Sequence, residues 1–89
     1  MNRYGALAMD HWRQHRPQAL SELEEPEVYF TDLGEALAEA IETRTRALAS
    51  PEPAGEGYLE RLQRLNSATR QAEGEVLREM VLLKVEQEG

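Results

Sequence analysis

His11 and His15 stand four residues apart, a spacing that puts two imidazoles on one face of a helix. His-x3-His is half of a tetrahedral zinc site. The chain has no other histidine and no cysteine, and spacing marks no particular carboxylate as a further ligand. The reading is therefore two surface or half-buried imidazoles and no metal. Carboxylates are far more numerous. Glu35, Glu39 and Glu42 fall on one side of a helix, with Asp32 one turn earlier. A carboxylate pair works as acid and base only in a walled cleft that separates the two pKa values. A chain of 89 residues has little apolar surface to build such walls. Asp32, Glu35, Glu39 and Glu42 are read instead as an acidic recognition face; the plain alternative is a solvated surface. Ser21, Ser50 and Ser67 occupy no nucleophile-elbow pattern. Gly55-Glu56-Gly57 is too short and too acidic to cradle phosphate. No enzyme activity and no cofactor are expected.

Charge narrows the partner class. The net charge is −7, and residues 25–50 hold −4 of it, whereas residues 1–24 are neutral. An acidic surface repels phosphate backbones, which disfavours direct nucleic-acid binding and suits a basic protein partner. The neutral N-terminal segment offers a second binding patch, Tyr4 and Trp12 with Arg13 and Arg16. The competing reading places Tyr4, Trp12, Tyr29, Phe30 and Tyr58 in the core, each joining one helix to another. Nine of the ten basic residues are arginine, a bias found in GC-rich bacterial genomes. The lack of cysteine fits a reducing compartment. No apolar run approaches a membrane span or a signal peptide, so the cytoplasm is the expected location.

These side chains need helices to position them. Residues 3–15 are free of proline and rich in helix formers, and Pro17 restricts Arg16 away from helical geometry. Residues 17–23 predict a further helical turn. Pro26 with Glu24, Glu25 and Glu27 signals the next helix start. Phe30, Leu33, Leu37, Ile41 with Ala40, Arg44 and Leu48 then carry a stripe at steps of three and four to about Ala49. Gly34 interrupts good helix formers; a close helix crossing, a bend or simple tolerance would each account for it. Residues 50–57 contain Pro51, Pro53, Gly55 and Gly57 and must be a loop. From 57 to 83 a seam of Tyr58, Leu62, Leu65, Thr69, Ala72, Val76, Met80 and Leu83 predicts a second long helix. Leu59, Leu77, Val81 and Leu82 widen it. Asn66, beside the seam, fixes register if buried and does nothing if exposed. The expected architecture is one all-α domain over residues 1–89. In it a long antiparallel helix hairpin (26–49 and 57–83) carries a shorter N-terminal helical segment, and the apolar excess is compatible with a homodimer.

Three stretches together resemble the TnpV proteins, small accessory proteins of bacterial transposons and integrative elements. Arg3-Tyr4-Gly5, Trp12, His15-Arg16-Pro17 and Leu20 are similar to that family's opening. Leu33 and the acidic helix match its middle loosely. Leu59, Leu62, Leu65-Asn66, Ala72-Glu73, Val76-Leu77 and Glu79-Met80-Val81 are similar to its closing helix. The Pro/Gly loop and the strongly acidic second helix depart from the pattern. The resemblance implies a mobile-element accessory protein. Taken with size and acidity, it leads to a protein–protein interaction module. One concrete form is an inhibitor of a nucleic-acid-handling host defence complex, in the manner of an anti-CRISPR protein. The acidic face would then occupy a basic channel in place of phosphates. The alternative is an excisionase-like DNA-associated factor for transposition or transcription, working through Tyr4, Arg13 and Arg16. Against it, acids outnumber bases 17 to 10, where DNA-bending proteins cluster Lys and Arg.

Overall fold

A computed structural model describes residues 1–82, with Val81 and Leu82 described in backbone alone. Among them the fold is all-α, and Leu83 of the expected seam lies outside the described residues. Helix α1 is Arg3–His15, α2 is Pro17–Glu22, α3 is Pro26–Ala49 and α4 is Tyr58–Leu77, which runs on into a π-helical turn, Arg78–Leu82. Each boundary has a local cause. The Asn2 side chain accepts a hydrogen bond from the Gly5 N–H at 2.9 Å and caps α1, satisfying one of its orphan donors. Pro17 and Pro26 open α2 and α3 at the first helical position, where a missing N–H costs nothing. Gly55 turns the connecting loop with a φ of +76°, a conformation that disfavours a side chain. The β-prone run Val28-Tyr29-Phe30-Thr31 is helical, because Pro26 and Glu27 have already started the helix.

The core lies where three helices meet. Ala8 from α1, Phe30, Leu37 and Ile41 from α3, and Ala72 and Val76 from α4 are buried together. Trp12 sets its ring edge against Phe30 at 5.3 Å, a geometry favoured by the ring quadrupoles. The crossing of α1 and α3 is glycine on glycine. A Cβ on Gly34 would stand 2.8 Å from the Gly5 nitrogen, and one on Gly5 would collide with the Phe30 carbonyl oxygen. Asn2 ties the same point by donating from Nδ2 to the Gly34 carbonyl at 2.9 Å. Of the three accounts of Gly34, the close crossing is the one found.

Between α3 and α4, Arg44 reaches Glu75 at 2.8 Å and Glu79 at 3.0 Å. Five residues further along α3, the Ala49 carbonyl accepts from Arg64. Helix α1 covers only the half of α3 that holds Phe30 and Gly34. Among the described residues, α3 beyond Ile41 packs on α4 alone, and burial there is confined to Ala49 and Ala68. This corrects the start of the expected seam. Tyr58 is 77% exposed and Leu59 70%, while Leu48 and Leu62 are also exposed. Among the described residues no third helix reaches them. Tyr58 therefore leaves the expected aromatic core, Tyr29 is partly exposed, and Met80 is exposed at the other end of the seam. Asn66 is exposed and fixes no register within the chain.

Candidate functional site: the outer surface of helix α3

The four expected acidic residues share the side of α3 that faces away from the core, and all four are exposed. The uninterrupted helix from Pro26 to Ala49 sets that alignment. Glu42 pairs with Arg46 one turn on, at 3.1 Å, with both side chains 69% exposed. A pair so open to water contributes little and yields easily to a competing cation. Among the described residues no cation stands within ion-pair distance of Asp32, Glu35 or Glu39. Glu22, Glu24, Glu25, Glu27 and Glu60 are likewise exposed, whereas five acids along α4 and the loop before it are held. Glu73 takes Arg3, Glu75 and Glu79 take Arg44, Glu52 takes Arg61, and Glu56 takes Arg64.

Those held pairs are structural, and their protonation follows from their contacts. Arg64 grips Glu56 with two nitrogens, at 2.7 Å and 3.0 Å. Its hydrogen bond and charge hold the Glu56 carboxyl below its ordinary value. Arg64 also donates to the Ala49 carbonyl and so caps the end of α3 with a cation. Glu75 accepts from Gln71 and from Arg44, and both contacts lower its pKa. Arg44, on the apolar stripe, is half-buried and paired with carboxylates, one of the two fates expected for it.

The alternative patch comes apart in space. Tyr4 turns toward α4. Its hydroxyl donates to Glu73 at 3.0 Å and accepts from Arg3 at 2.9 Å. Trp12 turns toward α3, stacking with Tyr29 and Phe30, and Arg16 lies over its indole at 4.6 Å. Arg13 pairs with Asp10 at 2.5 Å on the exposed side of α1. Only Trp12 and Arg16 remain together. His11 and His15 are one turn apart with ring centroids at 4.4 Å. Among the described residues no three His, Cys, Asp or Glu gather as metal ligands. No described helix is long and apolar enough to cross a membrane.

Beside the acidic row the surface of α3 has a shallow, open depression that the apolar stripe of the sequence does not reveal. It is lined by Ala36, Glu39, Ala40, Thr43, Arg44 and Ala47. The signal was present: Ala36, Ala40, Thr43 and Ala47 repeat at steps of 4, 3 and 4. It was masked because alanine reads as a helix former before it reads as a surface. No protein-family model matches the chain, and neither the curated proteins nor the solved structures contain a match.

Proposed function

We propose that this protein acts without catalysis, by docking the outer surface of α3 on a basic protein partner. The observation that carries the reading is the uneven pairing of charge. Glu52, Glu56, Glu73, Glu75 and Glu79 are paired within the chain, while Asp32, Glu35 and Glu39 stand in a row on one helix with no cation within ion-pair distance among the described residues. An open row of this kind steers a basic surface toward itself and fixes its register.

The finer reading is an accessory protein of a mobile element whose partner is a nucleic-acid-handling host defence complex, with Asp32, Glu35, Glu39 and Glu42 standing in for phosphates. The resemblance of Arg3-Tyr4-Gly5, His15-Arg16-Pro17 and the closing helix to TnpV proteins supports the origin. The charge pattern supports the mode. In the same reading α3 and α4 form an antiparallel hairpin, and the exposed Tyr58, Leu59 and Leu62 are available to join two copies. The excisionase-like alternative would work through Tyr4, Arg13 and Arg16, of which Tyr4 is engaged by Glu73 and Arg13 by Asp10.

The test is affinity capture from the native host with the wild-type chain and with a variant carrying Asp32→Lys, Glu35→Lys, Glu39→Lys and Glu42→Lys. The expected result is one nucleic-acid-binding complex that is released at high salt and absent from the variant, with helix content unchanged by circular dichroism. Equal capture by the variant would end this reading. Recovery of DNA with a recombinase would replace it with the excision role.

A further inference from the structure

The two long helices are unevenly filled. The largest fully buried side chains, Phe30, Leu37 and Val76, all lie in the half that α1 covers. From Glu42 to Ser67 the one buried side chain among the described residues is Ala49. That end therefore gains little from removing apolar surface from water, while ordering its backbone costs as much per residue as elsewhere. Thr45 adds to the cost. Its hydroxyl oxygen is buried without a hydrogen-bond partner among the described residues, and opening would return it to water.

Polar contacts from one side chain close this end. Arg64, on α4, donates from Nε and Nη2 to Glu56 in the loop, at 2.7 Å and 3.0 Å. From Nη1 it donates to the carbonyl of Ala49, the last residue of α3. One planar guanidinium thus ties α4, the loop and α3 together through directional bonds. The tie is enclosed: the Arg64 side chain is 20% exposed and that of Glu56 10%. The neighbouring pair of Arg61 and Glu52, at 3.2 Å, is open to water on both sides and adds little. We propose that the end from Thr45 to Leu65 is a strap that opens as a unit while the rest of the fold stays closed, with Arg64 as its clasp. Opening unwinds the end of α3 and the start of α4. It uncovers Ala49 and Leu65 beside Leu48, Tyr58, Leu59 and Leu62, which are exposed already. Arg44 marks the inner limit, because Glu75 and Glu79 hold it on the closed half. The inference stands apart from docking by the acidic row, since Asp32, Glu35 and Glu39 precede Ile41 and lie on the half that stays closed.

Hydrogen exchange of the native chain, read amide by amide by NMR in increasing urea, tests the strap. The amides of residues 46–49 and 61–65 are expected to exchange faster than those of 34–41 and 72–77. Their exchange should depend little on urea, because the opening exposes little surface. Arg64→Gln should speed the strap amides at least about tenfold. Val76→Ala weakens contacts that survive the opening. It should speed the amides of 34–41 and 72–77 at least about tenfold and leave the strap amides unchanged. Ala8→Gly, a milder change in the same core, reads the same contrast if Val76→Ala costs the fold. One common urea dependence for both groups of amides would overturn the proposal, because the chain would then open only as a whole. So would equal acceleration of both groups by the core variants, or strap amides left unmoved by Arg64→Gln.

Discussion

Substituting alanine at two glycines of this chain should have opposite signs, and the difference tests the packing directly. Both Gly34 and Gly74 lie inside helices, α3 and α4. By helix propensity alone, Gly→Ala should stabilise either position by about 1 kcal/mol. At Gly74 nothing stands within 4 Å of the new methyl group, so the propensity gain should appear in full. At Gly34 the methyl carbon would lie 2.8 Å from the Gly5 nitrogen and 3.0 Å from its Cα. Both are backbone atoms, so no side chain can swing aside, and α1 must move away from α3. Overpacking of this kind costs about 1–3 kcal/mol. The same movement pulls Asn2 off the Gly34 carbonyl and disturbs the cap of α1, a further cost of about 1 kcal/mol. After the propensity gain, Gly34→Ala should destabilise by about 2 kcal/mol. For a domain of this size that lowers Tm by about 8–16 °C, while Gly74→Ala raises it by about 4–8 °C. Thermal melts followed by circular dichroism read both. A Tm that rises for both variants would mean that α1 does not cross α3 at these glycines.

Other outcomes follow from the same contacts. Phe30→Ala removes the largest fully buried ring and should cost about 3–5 kcal/mol, enough to abolish the cooperative melt of a domain this small. The Thr45 hydroxyl oxygen is buried with no hydrogen-bond partner among the described residues, so Thr45→Val should raise stability by about 1 kcal/mol in urea titrations. Tyr58→Ser with Leu59→Ser should move stability by less than about 0.5 kcal/mol per site; a larger loss that shrinks on dilution would place both residues in a dimer interface. Glu56 and Glu75 bind protons more weakly folded than unfolded. The stability they contribute is therefore complete above the ordinary Glu value and is lost as pH falls below about 4.5 toward their depressed values. A Tm series from about pH 7 to about pH 3 should show that loss, and Arg64→Gln should flatten it.

Helix boundaries were the most legible part of the fold, because prolines and caps act locally. Pro17, Pro26 and the Pro/Gly loop set where α2, α3 and α4 begin, and α3 ends at Ala49 as its pattern indicates. Burial was legible only where three helices converge. Phe30, Leu37, Ile41, Ala72 and Val76 are core on both grounds. Tyr58 and Leu59 fit the same periodicity and are exposed, since periodicity gives a side chain its direction along a helix and says nothing of whether another helix is there to meet it. The Gly5–Gly34 crossing could be suspected at Gly34 alone. Its other half depends on a contact between residues 29 apart, which no local pattern encodes. For the site, the acidic row was visible in the spacing of Asp32, Glu35, Glu39 and Glu42. Its division into Glu42, paired with Arg46, and three acids with no cation beside them among the described residues required knowing where each arginine reaches. The separate contacts of Tyr4 and Trp12 were hidden for a similar reason: eight residues along a helix is about 12 Å, and the two rings meet different neighbours.

The measurement closest to the central claim is carboxyl footprinting of the complex captured from the host, by carbodiimide coupling of glycine ethyl ester and mass spectrometry. The account predicts that Asp32, Glu35 and Glu39 label readily in the free chain and are shielded in the complex, while Glu22, Glu25 and Glu60 label equally in both. Shielding of Glu60 or Glu22 with Asp32, Glu35 and Glu39 still reactive would contradict it and move the partner to another surface.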